Sequence, residues 1–153
     1  MKPSTDRIEK HIDIKAPPSR VWNALTDHRE FSTWFRVNLE IPFLPGKVTR
    51  GKVTYPGYEH LTIEVLVEKI EPERYFSLRW HPYAVDPKVD YSKEPMTLVE
   101  FTLEKTTGGT CLTVVESGFD SIPVSRRAEA FRMNSGGWDA QMQNISTHVA
   151  AKA

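Results

Sequence analysis

The chain has 153 residues, of which 39% are hydrophobic and 26% are charged, as is usual for soluble globular proteins. This length suits one domain, so we expect a single domain over residues 1–153. Twenty basic and twenty acidic side chains give a formal net charge of zero, which argues against general binding to nucleic acid or to an anionic membrane.

The cysteine content and the N-terminal residues bear on cellular location. Cys111 is the one cysteine of the sequence, so no disulfide can form within the chain and a reducing compartment is expected. The first residues contain no apolar run, and no stretch approaches the roughly 20 apolar residues that span a bilayer. We therefore expect a cytoplasmic protein without membrane insertion.

The first third of the sequence predicts one strand followed by two short helices. Alternating residues predict a strand at about 7–15, which two prolines end. Val21, Trp22 and Leu25 then form a helical face, and a second short helix is predicted at 30–35.

The middle of the sequence predicts strands that follow one another directly. Apolar and polar residues alternate in segments separated by turn residues, namely 47–55, 61–70, 75–81, 96–104 and 110–118. Because no helix separates the last four segments, parallel crossovers are excluded and the sheet is expected to be antiparallel.

The C-terminal segment predicts a long amphipathic helix. Its core-facing stripe is spaced by three and four positions and comprises Val124, Ala128, Phe131, Ser135, Trp138, Met142, Ile145 and Val149. Gly136 and Gly137 interrupt this helix at a cost of about 2 kcal/mol relative to alanine. Two interpretations stay open: the glycines allow close packing against the sheet, or they form the wall of a ligand pocket.

Together these elements predict an α+β fold. An antiparallel sheet of six to seven strands would grip the long C-terminal helix, with two short helices after the first strand. A sheet that curls around a helix in this way often leaves a cavity between the two, and large aromatic side chains would line it.

Glu116 is the polar residue of greatest interest. It shares a strand face with Leu112 and Val114, which are expected to face the helix. A carboxylate on an apolar face needs a polar partner. Three interpretations stay open: Glu116 reaches solvent or an arginine at the strand end, anchors a ligand, or acts as an acid/base catalyst. No metal-binding or nucleotide-binding motif is convincing, so neither a metal nor a cofactor is expected.

Several segments resemble a known superfamily. Residues 12–27, IDIKAPPSRVWNALTD, resemble the opening signature of the START-like, birch-allergen-like helix-grip (SRPBCC) superfamily, and Trp34 follows at the usual interval. Other segments resemble the subgroup named for the activator of the heat-shock-protein-90 ATPase; they are 76–80, 99–103, 108–119 and Gly137-Trp138. The resemblance covers nearly the whole chain.

The resemblance implies a deep cavity that binds hydrophobic or amphipathic small molecules. Many members of the superfamily only bind, some are cyclases or hydrolases, and the named relatives stimulate a chaperone ATPase. The subgroup commonly has histidine where this chain has Glu116. The loop 82–95 looks longer than usual and is expected to cover or narrow the mouth of the pocket.

We therefore expect a ligand-binding protein rather than an enzyme. The expected ligand-binding residues are Trp34, Phe35, Trp80, Val99, Glu116, Phe119, Gly137 and Gln141. Two alternatives stay open: a small-molecule cyclase or hydrolase that uses Glu116 as acid/base, and a co-factor of a chaperone ATPase. The expected partner is a hydrophobic small molecule, and the oligomeric state, including a homodimer, stays open.

Overall fold

The computed structural model describes residues 5–86 and 88–151. Its strands and helices follow in chain order as β1 (Arg7–Ile14), α1 (Pro18–Thr26), α2 (His28–Phe35), β2 (Val37–Leu39), β3 (Val48–Val53), β4 (Thr62–Glu71), β5 (Tyr75–Trp80), β6 (Thr97–Thr106), β7 (Gly109–Ser117) and α3 (Val124–Ala151). The predicted α+β fold, with two short helices after the first strand and one long C-terminal helix, is confirmed.

The strands form one seven-stranded sheet in the order β1-β7-β6-β5-β4-β3-β2, and all neighbours are antiparallel. Strand β2 was not predicted, because three residues are too few for an alternating pattern to be recognised. The register shifts between Val67 and Lys69 in β4, and such a bulge bends a strand and increases its twist. The sheet can therefore curve around the helices.

Local signals explain the two short helices. Pro18 occupies the first turn of α1, where its missing N–H is not needed. Asp27 caps α2 by accepting a hydrogen bond from the backbone N–H of Arg29, at 2.9 Å. Arg36 ends α2 in the left-handed conformation, with φ of 65°. The indole of Trp34 donates to the carbonyl of Ala24 at 2.7 Å and joins the two helices.

Helix α3 packs on the sheet and on the two short helices, but its buried face differs from the predicted stripe. The buried residues are Ala130, Trp138, Met142, Ile145 and Val149. The prediction was wrong at the start of the helix, where Val124 is 79% exposed and Ala128 is also exposed. A stripe with a mean spacing of 3.5 residues drifts by about 20° per heptad on a straight helix, so its two ends cannot both face the core.

Gly136 and Gly137 do not pack against the sheet. Both lie on the exposed side of α3, and a Cβ atom built at either position would meet no atom within 4 Å apart from the adjoining helix backbone. The interpretation that these glycines permit close packing was therefore wrong.

Candidate functional site

Glu116 is completely buried near the end of β7. Its neighbours across the sheet are Ile8 on β1 and Val99 on β6. The chain turns back immediately after the strand, since the backbone N–H groups of Gly118 and Phe119 bond to the carbonyl of Asp6. This turn and α3 cover the strand end, so the interpretation that Glu116 reaches solvent there was wrong.

Four side chains donate hydrogen bonds to the Glu116 carboxylate. Oε2 accepts from the indole of Trp80 at 2.8 Å and from the hydroxyl of Thr97 at 2.5 Å. Oε1 accepts from the indole of Trp138 at 2.9 Å and from the amide Nδ2 of Asn134 at 3.0 Å. Within residues 5–86 and 88–151 no arginine or lysine pairs with this carboxylate, so the interpretation that Glu116 pairs with an arginine was also wrong.

The donor set matches a carboxylate that accepts hydrogen bonds through both of its oxygens. An indole N–H can only donate, and the two oxygens of a carboxylate have room for about four hydrogen bonds. The donors come from β5, β6 and α3, so the carboxylate ties the centre of the sheet to the helix. A buried polar network of this kind stabilises one arrangement of its elements when every member is satisfied.

Aromatic rings fill the space around this network. Trp80 and Trp138 are stacked with ring centroids 5.7 Å apart, and Phe101 meets the Trp138 ring edge-on at the same distance. Phe35, the last residue of α2, lies 5.7 Å from Trp80 and 6.3 Å from Trp138. Around Glu116, side chains therefore fill the space between the sheet and α3.

A cavity of about 430 Å³ lies to one side of this aromatic cluster. Its walls come from the β3–β4 side of the sheet, from the loop 81–92 and from the ends of α2 and β5. The lining residues are Phe35, Val53, Leu61, Thr62, Ile63, Glu64, Trp80, His81, Tyr83, Ala84, Val85, Val89, Asp90, Tyr91, Ser92 and Asn134. From α3 this lining includes Asn134, so the cavity adjoins the helix at one point rather than extending along it.

Arg126 holds the loop that forms one wall of the cavity. Its Nε donates to Glu94 at 2.8 Å, and Nη2 lies 2.7 Å from the same carboxylate oxygen, outside hydrogen-bond geometry. Nη1 donates to the carbonyl of Pro82 at 2.7 Å, and the guanidinium lies 4.8 Å from the ring centroid of Tyr91. One side chain in the first turns of α3 thus contacts both ends of the loop.

Two carboxylates lie at the rim of the cavity. Asp90 and Glu64 are both exposed at the rim, and Glu64 pairs with Arg50 at 3.1 Å. The hydroxyl and the backbone N–H of Ser92 both donate to Asp90 and lower the pKa of that carboxyl. Asp90 is therefore ionised at neutral pH.

The expected ligand-binding residues occupy different environments. Phe35 and Trp80 line the cavity. Four others are buried in the core and do not line it; they are Trp34, Val99, Glu116 and Phe119. Gly137 is exposed on α3, and Gln141 donates to the carbonyl of Phe35 at 3.4 Å.

Sequence reasoning missed most of the cavity walls. It singled out the loop 82–95 as a cover for the pocket, and the structure places Tyr83 and Tyr91 of this loop in the cavity wall. The missed residues Ile63 and Val53 lie on strands near the sheet edge, where their alternation gave no sign of a cavity. Asn134 was missed because one polar residue in an amphipathic helix gives no local signal.

The described ranges 5–86 and 88–151 contain no cluster of three or more His, Cys, Asp or Glu side chains that could hold a metal ion. Within the same ranges, no helix combines the length and the apolar character needed to cross a membrane.

Comparison with known proteins identifies a family. The family described as "Activator of Hsp90 ATPase homolog 1-like protein" matches residues 15–150. A search of curated proteins gave no significant match.

Solved structures share the fold. The structure of protein MLL2253 from Mesorhizobium loti is 21% identical, with a TM-score of 0.76, over 96% of this chain and 98% of that one. The Aha1 dimer from Colwellia psychrerythraea is 18% identical, with a TM-score of 0.66, over 92% of each chain. DynU16, from the dynemicin biosynthetic locus, is 25% identical with a TM-score of 0.73; the match covers 97% of this chain but 48% of DynU16.

Proposed function

The chain belongs to the Activator of Hsp90 ATPase homolog 1-like family, and from this premise we propose that it binds a hydrophobic or amphipathic small molecule beside Trp80. The observation that carries the proposal is the cavity of about 430 Å³ with aromatic and aliphatic walls. Folds of this superfamily commonly bind ligands in a cavity, and pockets for small molecules are typically apolar with a few polar groups.

The walls can supply useful affinity. Burial of about 200 Å² of apolar ligand surface would contribute about 5 kcal/mol at roughly 25 cal/mol per Å². The loss of translational and rotational freedom on binding opposes this term, so the affinity of a simple apolar probe is expected to be sub-millimolar rather than nanomolar.

The test is a titration with the neutral fluorescent probe N-phenyl-1-naphthylamine. We expect saturable binding and a rise in melting temperature, since a ligand that binds only the folded state stabilises it. Ala84→Trp would place a large ring in the cavity wall and should weaken binding about tenfold or more, which is about 1.4 kcal/mol.

Ala128→Trp is the matched control, because Ala128 is exposed on α3 and does not line the cavity. This variant should bind the probe like the wild type. Absence of saturable binding to the wild type, or unchanged binding to Ala84→Trp, would reject the proposal. Trp80→Ala is less informative, because loss of the indole also removes a hydrogen bond to Glu116.

Acid/base catalysis by Glu116 receives no support from the geometry. Both carboxylate oxygens accept hydrogen bonds from protein donors, and Glu116 does not line the cavity. A substrate could reach this carboxylate only if Trp80 or Asn134 moved. The family description supports a different second hypothesis, stimulation of the Hsp90 ATPase. An ATPase assay with purified Hsp90 would test it, and persistence of stimulation in Ala84→Trp would separate it from ligand binding.

Two finer points belong to the same proposal. The structure described as an Aha1 dimer motivates a homodimer hypothesis for this chain, which sedimentation analysis would test. The single cysteine is consistent with a cytoplasmic location, which fractionation of the host cell would test.

A further inference from the structure

Asn134 connects the buried carboxylate to the cavity. Its amide Nδ2 lies 3.0 Å from Oε1 and 3.2 Å from Oε2 of Glu116. The same residue lines the cavity and is only half-buried. Asn134 therefore presents one end of its amide to Glu116 and leaves the other end available.

The Glu116 carboxylate fixes which end of the Asn134 amide faces it. An asparagine side chain can present either its NH₂ group or its oxygen to a neighbour, and the neighbour's hydrogen-bonding character decides which. Here an amide oxygen placed 3.0 Å from a carboxylate oxygen would bring two acceptors together, whereas the nitrogen donates. Glu116 is thus a positioning residue that turns Oδ1 of Asn134 away from itself.

That oxygen has no hydrogen-bond partner among the described residues and is accessible to solvent. Among residues 5–86 and 88–151, Oδ1 of Asn134 accepts no hydrogen bond, and it is not one of the buried side-chain atoms that lack a partner. It is therefore an accessible acceptor on a residue of the cavity wall. A ligand that buries this oxygen without donating to it would leave an acceptor unpaired, which disfavours binding.

The charges around the cavity also disfavour a ligand that carries only acceptors or a negative charge. The lining residues of the described ranges include the acidic Asp90 and Glu64 but no lysine or arginine, and Glu64 is paired with Arg50 just outside the lining. Hydrogen bonds from Ser92 lower the pKa of Asp90, which is therefore ionised at neutral pH. An anionic ligand would meet the Asp90 carboxylate at the rim and the amide oxygen of Asn134 at the wall.

We propose that Asn134, oriented by Glu116, selects neutral or cationic ligands that carry a hydroxyl or N–H donor. This inference rests on the proposed function, because it needs a ligand in the cavity. It narrows the ligand class: a hydrophobic body with a donor group, such as an alcohol, a phenol or an amine, is accepted in preference to an ether or a carboxylate of the same size.

Three naphthalene probes test the inference on the wild-type protein. 2-Naphthol carries a donor, 2-methoxynaphthalene carries only an acceptor, and 2-naphthoate is an anion. Isothermal titration at neutral pH should show 2-naphthol binding about fivefold to tenfold more tightly than 2-methoxynaphthalene, as expected for one hydrogen bond. 2-Naphthoate should bind most weakly.

Asn134→Leu should abolish the preference for 2-naphthol while retaining the binding of 2-methoxynaphthalene. Glu116 would keep three donors in this variant, namely Trp80, Thr97 and Trp138. Asn144→Leu is the matched control, since Asn144 is half-buried on the same helix but donates to Gln141 outside the cavity wall. It should retain the preference.

The outcomes separate the two proposals. Equal binding of 2-naphthol and 2-methoxynaphthalene by the wild type would overturn the role of Asn134 and leave the proposed function standing. The same role would be overturned if Asn134→Leu kept the preference, or if 2-naphthoate bound best. If none of the three probes bound, the proposed function and the inference would both fail. The wild-type comparison decides the matter even if a variant does not fold.

Discussion

Trp80 and Trp138 are stacked on each other at 5.7 Å, and each donates its indole N–H to a different oxygen of Glu116. One tryptophan belongs to β5 and the other to α3, so a single buried carboxylate fixes the sheet and the helix relative to each other. This relationship places Trp80 as a wall of the neighbouring cavity.

Glu116→Gln should destabilise the protein by about 2 kcal/mol or more. Glutamine has the same shape but replaces one acceptor oxygen with an NH₂ group, so at least one of the indoles of Trp80 and Trp138 would face a donor. A buried donor without an acceptor costs about 1–3 kcal/mol. Urea unfolding would measure the change in the free energy of unfolding.

Glu104→Gln is the control for this change, because Glu104 is exposed on the neighbouring strand β6. Its effect should lie within about 0.5 kcal/mol of zero, as for most surface substitutions. If the two variants were equally stable, the hydrogen bonds that the Glu116 carboxylate accepts would not contribute to the stability of the fold.

Gly137→Ala should stabilise the protein by about 1 kcal/mol. A Cβ atom added at Gly137 would meet no neighbouring atom within 4 Å, and the φ angle of Gly137 is not positive. Alanine is favoured over glycine in a helix by about this amount. Thermal and urea unfolding would show the gain.

Gly51→Ala provides the contrast. A Cβ atom there would lie 2.1 Å from the carbonyl oxygen of Asn38 on the adjacent strand, so this variant should be strongly destabilised. A loss of stability in Gly137→Ala would show that α3 packs differently from the structure described.

Glu30 should make stability sensitive to acid. Its carboxylate lies 2.9 Å from Nη1 of Arg20 and 2.9 Å from Nε2 of His148, which joins the three helices. Burial alone would raise the pKa of Glu30, but the hydrogen bonds from His148 and Arg20 outweigh burial and lower it below its ordinary value.

Because the folded pKa lies below the unfolded one, this contribution is present above the unfolded pKa and is lost as the pH falls through the folded pKa. Glu30→Gln should therefore be less stable than the wild type by about 1 kcal/mol at about pH 5.5, and the difference should shrink towards about pH 2.5. Melting curves across this range would measure it. A difference that did not change with pH would contradict this role, and Glu40→Gln, at an exposed position, should show little effect throughout.

Arg126→Met should loosen the loop that forms one wall of the cavity. The substitution keeps apolar bulk but removes the contacts to Glu94 and to the carbonyl of Pro82. Hydrogen exchange of the backbone amides in residues 83–94 should become about tenfold faster, which corresponds to about 1.4 kcal/mol less protection. Arg132→Met, at an exposed position on the same helix, should leave exchange unchanged. Equal exchange in both variants would show that Arg126 does not hold the loop.

Local patterns in the sequence determined the elements and their order. Alternation in segments such as 61–70 and 110–118, joined by turn residues, predicted an antiparallel sheet, because side chains alternate between the faces of a strand. The three- and four-residue spacing after Val124 predicted a helix for the same kind of geometric reason. The resemblance to the helix-grip superfamily agreed with this order, and the family match over residues 15–150 confirmed it. That the eight expected residues bind a ligand, and that the chain forms a single domain, both stay predictions.

The tertiary structure alone decided the environment of Glu116 and the position of the cavity. The donors to Glu116 lie 18 to 36 residues away along the chain, so no local period could reveal them. Which residue of α3 faces the carboxylate depends on the rotation of the helix about its axis. The predicted stripe gave the wrong rotation at the start of the helix, because a 3.5-residue spacing drifts around a straight helix. The cavity lies between the loop held by Arg126 and strands β3, β4 and β5. Periodicity encodes which face of an element is apolar, whereas contacts between distant segments depend on how the elements pack together.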